Sequence, residues 1–192
     1  HDEIGAGLTS ISMLCEQAKV KARNEKEAGL AWFDKISSQS RNVSDKLNEV
    51  VWATNPENDN LPSLLSYIRN YVSKFFEDST IRYALHLPDD VPNVFLKPNV
   101  SRNVFFVLKE ALNNCAKHSL ASQIEISFKL DADNNYMLYI GDNGRGIDFD
   151  SLPPHRNGFG NMRRRIDDIN GVFEIKSVIG KGTYVKIKRN LS

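Results

Sequence analysis

Two long stripes of apolar residues open the chain. In the first, apolar side chains recur three or four residues apart, the spacing of one helix face. The second alternates steps of three and four, which is a heptad pattern. The stripes contain Ile4, Leu8, Ile11, Cys15 and Ala18, then Phe33, Ile36, Ser40, Val43, Leu47 and Val50. We predict a turn near Asn24, and Asn55-Pro56 ends the second helix because proline lacks an amide hydrogen. The pattern therefore predicts a helical hairpin.

This apolar seam requires a partner, since two helices bury little apolar surface on their own. The simplest partner is a second copy of the chain, which would complete a four-helix bundle with twofold symmetry. We therefore predict a homodimer, with residues 1–58 as its dimerisation domain.

Beyond Asn60 the pattern becomes a mixture of helical and alternating spacings. Helices are predicted over 61–76, 99–118 and 161–170, and strands over 81–87, 124–130, 136–140, 172–177 and 183–188. The turn at 131–135 joins two strands into an antiparallel hairpin, and Gly180-Lys-Gly182 joins another pair. The fold class predicted for the whole chain is α+β, and residues 59–192 form an α/β sandwich with helices on one sheet face.

The composition of the chain excludes several classes of function. With 192 residues and 41% hydrophobic content, the chain can bury a core. The formal net charge of +1 provides no field that would attract nucleic acid, so we predict no nucleic-acid role. Cys15 and Cys115 lack the spacing of a disulfide framework or a zinc site, which suits a reducing compartment. No apolar run approaches the roughly 18 residues that a membrane span needs.

Candidate chemistry begins on the helix predicted over 99–118. Glu110, Asn114 and Lys117 lie along one line beside its apolar stripe, whose predicted buried residues end with Ala111 and Cys115. An Asn oxygen can ligate Mg²⁺, which takes few protein ligands and completes its shell with water and phosphate oxygens. Lys117 could neutralise phosphate charge. Taken alone, the same residues are explained equally well as the solvated face of an amphipathic helix.

Two glycine-bearing stretches follow. In Gly141-Asp-Asn-Gly-Arg-Gly146, the carboxylate of Asp142 stands at a strand end and can accept a hydrogen bond from the amine of adenine, where guanine presents a carbonyl. Gly158-Phe-Gly160 leads into a helix whose first turns carry Arg163, Arg164 and Arg165, so amides and positive charge would gather there for phosphates. Residues 147–157, with Pro153-Pro154, are predicted to form a short lid.

In this order the stretches resemble the N, G1 and G2 boxes of the GHKL ATPases, which include DNA gyrase, MutL and sensor histidine kinases. The quoted runs are Glu110-Ala-Leu-Asn-Asn-Cys-Ala-Lys-His118, Asp142-Asn-Gly-Arg-Gly146, Gly158-Phe-Gly160 and Gly180-Lys-Gly-Thr183. The opening His1-Asp2-Glu-Ile-Gly-Ala-Gly-Leu8 resembles the phosphoacceptor helix of DesK/NarX-type histidine kinases. The resemblance implies autophosphorylation from Mg-ATP and transfer to an aspartate on a response regulator receiver domain.

Carried over residue by residue, the resemblance makes His1 the nucleophile and Asp2 the acid that orients its ring and accepts its proton. It gives Asn114 to Mg²⁺, Asp142 to adenine, and four glycines to close backbone contact with ATP: Gly144, Gly146, Gly158 and Gly160. The remaining residues implied in the nucleotide site are Glu110, Lys117, His118, Asn161, Met162 and Thr183.

The resemblance also sets expectations about the rest of the protein. Family members that dephosphorylate their regulator carry Gln or His where this chain has Ala6, so we expect a bias toward kinase action. We expect further helical turns and a sensor region upstream of His1, with this part as the cytoplasmic portion of a membrane-anchored sensor. A chain beginning at His1 should therefore bind ATP and dimerise but autophosphorylate poorly. The alternatives are an anti-sigma-factor-type serine kinase and a catalytically silent ATP-binding scaffold.

Overall fold

The computed structural model describes residues 2–22, 26–131, 133–149 and 158–191. The chain divides into two compact units, one reaching to Asn55 and the other starting at Pro56. No helix in the described part of the chain is long and apolar enough to cross a membrane.

The first unit is a pair of helices, α1 (Asp2–Ala22) and α2 (Lys26–Thr54). They approach closely at Gly7, where an added Cβ would lie 2.5 Å from Cγ2 of Val43. Val43 is buried by this contact, whereas other residues of the predicted apolar seam stay exposed, including Leu8 at 54% and Phe33 at 62%. The helical hairpin expected from the apolar pattern is therefore present, and much of its apolar surface faces outward in the single chain.

The second unit begins with a short 3-10 turn, and its described residues contain three α-helices. These are α3 (Leu61–Phe75), α4 (Pro98–Asn114) and α5 (Gly158–Asp167). Asn60 caps α3, because its side-chain Oδ1 accepts a hydrogen bond from the amide of Ser63 at 2.8 Å. After α4 the chain makes one π-helical turn, Cys115–Ser119, and then passes through Leu120 with a positive φ of 55°.

Five strands form one mixed sheet. They are β1 (Arg82–His86), β2 (Gln123–Leu130), β3 (Asn135–Asp142), β4 (Val172–Val178) and β5 (Gly182–Asn190). The spatial order is β1-β2-β3-β5-β4; β1 and β2 are parallel and the other neighbours antiparallel. In the centre of the sheet Ile140 pairs with Ile126 on one side and with Val185 on the other.

The core of this unit lies between the sheet and its helices. Alternate strand residues such as Ile126, Leu138 and Ile187 are fully buried, as are Val104 and Leu108 on α4. The opposite side chains of the same strands, such as Glu125 and Lys129, are exposed. Alternating burial of this kind is the mark of a sheet covered on one face. The predicted α+β fold with an α/β sandwich is confirmed.

Both ends of the last helix differ from the prediction. The helix expected to start at Asn161 begins at Gly158, so Gly158 and Gly160 lie inside the first turn of α5. Glycine is a poor helix former, but the first amides of a helix have no intrahelical partner, so the first turn tolerates it more readily. The far end of the predicted helix also differs, because α5 ends at Asp167 rather than at Asn170, and Asn170 takes the left-handed conformation with a φ of 55°.

Candidate functional site

A cavity of about 590 Å³ opens where the end of α4, its π turn, the end of β3 and the first residues of α5 come together. It brings together predicted site residues from four separate segments of the sequence. These are Glu110, Asn114, His118, Asp142, Gly146, Gly158, Met162 and Thr183. Motifs that are separated along the chain thus line one concave surface.

Other predicted site residues lie outside the lining of this cavity. Lys117 and Gly160 are exposed, and the side chain of Asn161 accepts a hydrogen bond from Arg164 Nη2 at 2.9 Å. Gly144 packs against the Ser119 carbonyl.

The predicted phosphoacceptor residues belong to the first unit. Asp2 is the first residue of α1, and His1 lies outside the described residues. Of the predicted lid, residues 150–157 also lie outside them, so the lid stays a prediction.

Asp142 is held in the cavity by its backbone and by both carboxylate oxygens. It is the last residue of β3, where pairing with Ile124 of β2 fixes its backbone. Its Oδ1 accepts the amide hydrogen of Gly144 at 2.8 Å, and its Oδ2 accepts the thiol hydrogen of Cys115 at an Sγ–Oδ2 distance of 3.3 Å. A carboxylate held at both oxygens keeps its remaining lone pairs in a fixed direction, as recognition of a ligand amine requires.

Cys115 was predicted only as part of the buried stripe of its helix, yet it lines the cavity. It is 7% exposed. Burial, and then the negative charge of Asp142, raise the pKa of its thiol, so the group stays protonated and able to donate. Its position directly after Asn114 was the available sequence signal.

The loop after β3 is tied down on both sides. On one side, the Arg145 amide donates to the Ser119 carbonyl at 2.8 Å. On the other, the Ile147 amide donates to Ser177 Oγ at 2.7 Å, and the Ser177 and Thr183 hydroxyls lie 2.8 Å apart. Sequence reasoning missed Ser177, because no local pattern connects it to a residue 30 positions earlier.

Apolar residues supply most of the remaining wall. They include Ile140, Ile147, Phe159, Ile179 and Val185 from separate elements. An apolar cavity with a few fixed polar groups is the usual form of a small-molecule site. The strand pairing of Ile140 with Val185 places two of these residues side by side.

The three arginines of α5 do not line this cavity. Arg163 lies over the Phe173 ring at 5.3 Å, and Arg165 lies over Phe106 at 4.8 Å while donating to Asn103 Oδ1 at 3.2 Å. A role for these arginines in binding phosphates therefore stays a prediction. The aromatic contacts of Arg163 and Arg165 attach α5 to β4 and α4. What remains at the cavity is the start of α5 itself, with Gly158 and Phe159.

Comparison with known proteins places this site in a class. Residues 99–191 match the family model described as histidine kinase-, DNA gyrase B-, and HSP90-like ATPase. This segment contains α4, the cavity and strands β2 to β5, and it belongs to that ATP-binding family.

Curated relatives indicate one class of protein within this ATPase family. Sensor histidine kinase LiaS of Bacillus subtilis is 22% identical over 188 residues, covering 98% of this chain and 51% of LiaS. The histidine-protein kinase/phosphatase DegS of the same organism is 34% identical over 100 residues, covering 50% of this chain and 26% of DegS. These relatives are sensor histidine kinases, and the predicted resemblance to the DesK/NarX type is confirmed.

A solved structure supports the fold over the whole chain. The histidine kinase domain of the blue-light activated histidine kinase from Erythrobacter litoralis EL346 aligns with a TM-score of 0.60 at 15% identity, covering 99% of this chain and 93% of that one. The present chain spans about half the length of the curated relatives that match it from end to end.

Proposed function

We propose that this chain is the catalytic core of a two-component sensor histidine kinase that binds Mg-ATP in the cavity and phosphorylates His1. In that reaction a ring nitrogen of His1 forms a bond to the γ-phosphorus of ATP, the bond to the bridging oxygen breaks, and ADP leaves. The phosphoryl group then passes to an aspartate of a response regulator receiver domain. The observation that carries the proposal is the Asp142 carboxylate, fixed at both oxygens inside an apolar cavity.

Adenine is the base that this arrangement fits. A carboxylate accepts hydrogen bonds and donates none, so it suits the exocyclic amine of adenine and opposes the carbonyl that guanine has at the same place. Ile140 and Val185, paired across two strands, provide an apolar surface for a flat ring. The Thr183 hydroxyl lies at the same end of β5 and adds a polar group that could contact the base.

The other wall of the cavity carries the oxygens that suit a phosphate-bound magnesium ion. Asn114 and Glu110 both line it, one turn apart on α4. Within the described residues the side-chain amide of Asn114 makes no hydrogen bond, and no group of three His, Cys, Asp or Glu side chains is placed to hold a metal ion. Mg²⁺ needs only one or two protein ligands when phosphates complete its shell, so the residues present fit it. Bound there by Asn114, the ion would neutralise charge on the phosphates of ATP.

The first unit would present the phosphoacceptor. A histidine with a pKa near 6.5 is mostly neutral at cellular pH, and a carboxylate bonded to one ring nitrogen makes the other more nucleophilic. The resemblance gives these roles to His1 and Asp2. The full kinase is proposed to include an upstream sensor region that anchors it to a membrane.

A homodimer is proposed from the exposed apolar seam. Phe33 and Leu47 are 62% and 43% exposed in the single chain. We expect Phe33→Glu with Leu47→Glu to convert the dimer to a monomer in analytical ultracentrifugation. Met13→Glu is the matched control, because Met13 is 63% exposed but lies off the predicted stripe. A chain that is monomeric before any substitution would contradict the proposal.

Nucleotide binding is tested by calorimetric titration with Mg-ATP. A hydrogen bond to a charged group contributes about 1.5–3 kcal/mol, so Asp142→Ala should weaken ATP binding about tenfold to a hundredfold. Asp131→Ala is the control: Asp131 lies at the other end of the β2–β3 hairpin and also accepts backbone amides, from Asp133 and Asn135. It should lower stability and leave ATP affinity unchanged. Equal affinities for all three proteins would rule out Asp142 as the adenine contact.

Phosphoryl transfer is tested on a chain extended upstream of His1. We expect ATP-derived phosphate that is stable in alkali, labile in acid and absent from His1→Gln. Acid-stable phosphate on serine would indicate the serine kinase alternative, and ATP binding without any label would indicate the silent scaffold.

A further inference from the structure

We propose that Cys115 is a positioning residue for adenine recognition, acting through the Sγ–Oδ2 hydrogen bond that holds Asp142. The inference rests on the proposed function, because it concerns how the nucleotide site selects its base. It adds Cys115 to that site. Neither the glycine stretches nor the proposed magnesium ligand Asn114 predicts a role for this residue.

The contact joins two segments that are 27 positions apart in the sequence. Cys115 begins the π turn after α4, and Asp142 ends β3. The turn is itself fixed, because the Ser119 hydroxyl donates to the Cys115 carbonyl at 2.6 Å and accepts the Ala121 amide at 3.0 Å. Single π-helical turns are rare and are often found at functional sites. Here it directs the thiol toward the carboxylate.

Each carboxylate oxygen of Asp142 accepts a hydrogen bond from a different partner. The Gly144 amide restrains Oδ1 from the loop that follows the strand, at 2.8 Å. Cys115 restrains Oδ2 from the helix side. If the thiol is removed, only the loop contact remains and the carboxylate is free to rotate about χ2. Rotation would misalign the lone pair that receives the adenine amine, so affinity should fall although the carboxylate is still present.

The simpler interpretation is that Cys115 only fills space beneath the cavity. The two interpretations rank variants differently. If the residue only packs, serine should be the worst replacement, because it loses the sulfur and buries a hydroxyl. If it donates a hydrogen bond, serine should preserve ATP binding and alanine should not.

The experiment measures Mg-ATP and Mg-GTP affinities by calorimetry, and thermal stability separately, for the unchanged protein, Cys115→Ala and Cys115→Ser. We expect alanine to weaken ATP binding about threefold to tenfold and to reduce the preference for ATP over GTP, while serine stays within about twofold of the unchanged protein. Val104→Ala is the packing control, since Val104 is fully buried on the same helix and does not line the cavity. It should lower stability without changing either affinity.

The results separate the inference from the function on which it rests. If the unchanged protein binds no ATP, both are overturned. If it binds ATP and alanine binds equally well, or serine binds as poorly as alanine, only the role of Cys115 is overturned.

A second measurement does not depend on the stability of Cys115→Ser. In a Cys15→Ser background, Cys115 is the only cysteine in the chain and gives its only S–H stretching band in the infrared. A hydrogen-bonded thiol absorbs at lower frequency and with a broader band than a free one. Asp142→Ala should therefore move this band to higher frequency and sharpen it. A band unchanged by Asp142→Ala would overturn the inference.

Discussion

The two glycine-bearing stretches beside the cavity meet different surroundings. In the first, a Cβ on Gly146 would overlap the Val178 carbonyl, and one on Gly144 would overlap the Ser119 carbonyl. In the second, the only described atoms that a Cβ on Gly158 would meet belong to the Glu110 side chain, with Oε1 at 2.9 Å, and one on Gly160 would meet no described atom within 4 Å. Backbone atoms therefore fill the space beside Gly144 and Gly146, whereas no described backbone atom fills it beside Gly158 and Gly160, which we call the open stretch.

This difference separates two reasons for having glycine. The glycines at 144 and 146 are required by the protein's own packing, since neighbouring backbone cannot move aside as a side chain can. Those at 158 and 160 lie in a regular helix, where glycine costs stability relative to alanine. Any requirement for glycine there must come from a bound ligand or from chain outside the described residues. Stability and ATP affinity should therefore respond differently in the two stretches.

The largest loss of stability is expected for Gly146→Ala. Gly146 has a φ of 75°, and its Cβ would strike a carbonyl group, so both the conformation and the space are unfavourable. A strained backbone position costs roughly 1–3 kcal/mol and a forced displacement adds to it, so we expect the free energy of unfolding to fall by about 3 kcal/mol. Chemical denaturation measures this change.

Gly180 provides a matched control for this prediction. Its φ of 76° is nearly the same, but a Cβ there would meet nothing within 4 Å among the described residues. Gly180→Ala should therefore cost only the conformational part, about 1 kcal/mol. Equal losses for the two variants would show that the Val178 carbonyl is not a steric barrier.

Gly144→Ala should come second and should affect binding as well as stability. Its Cβ would overlap the Ser119 carbonyl and come within 2.8 Å of Asp142 Oδ1. Because the Gly144 amide is the partner of that oxygen, displacement of the loop also disturbs the proposed adenine contact. We expect a loss of about 1–3 kcal/mol in unfolding free energy and about tenfold in ATP affinity. A loss of stability with unchanged affinity would separate this loop from the nucleotide.

Sequence patterns predicted what depends on local spacing. The alternation at 124–130 predicted a strand and which of its faces is buried. The alternation at 136–140 predicted a second strand, and Asp142 was correctly expected at its end. Patterns could not reveal the partners of these groups. The bonds from Cys115 to Asp142 and from Ile147 to Ser177 join residues 27 and 30 positions apart, and they depend on strand register and on one π turn. Patterns also could not tell whether an arginine faces a ligand or packs on the protein, and Arg165 packs on Phe106.

Gly158→Ala should have a smaller effect on stability, because the atom it would meet ends a flexible side chain. The added Cβ would lie 2.9 Å from Glu110 Oε1, and Glu110 can turn aside at a cost of about 1 kcal/mol, which the better helix propensity of alanine offsets. The expected result is near-neutral stability with weaker Mg-ATP binding, since Glu110 lines the cavity.

A double-mutant cycle tests whether Glu110 transmits this effect. In a Glu110→Ala background the Oε1 atom is gone, so adding Gly158→Ala should cause no further loss of affinity. Losses that simply add would show that the glycine acts on the nucleotide independently of Glu110.

Gly160→Ala should have the smallest effect on stability, and of opposite sign. Gly160 is exposed in the first turn of α5, with open space where its Cβ would stand among the described residues. Alanine should therefore raise the free energy of unfolding by about 0.5–1 kcal/mol in the absence of nucleotide. The first amides of a helix have no intrahelical partner and can donate to phosphate oxygens, which then approach the backbone closely. We expect Mg-ATP affinity to fall while stability rises, measured by calorimetry and denaturation on the same samples. If affinity stays unchanged, Gly160 is not a nucleotide contact and the open stretch contributes to binding only through Gly158.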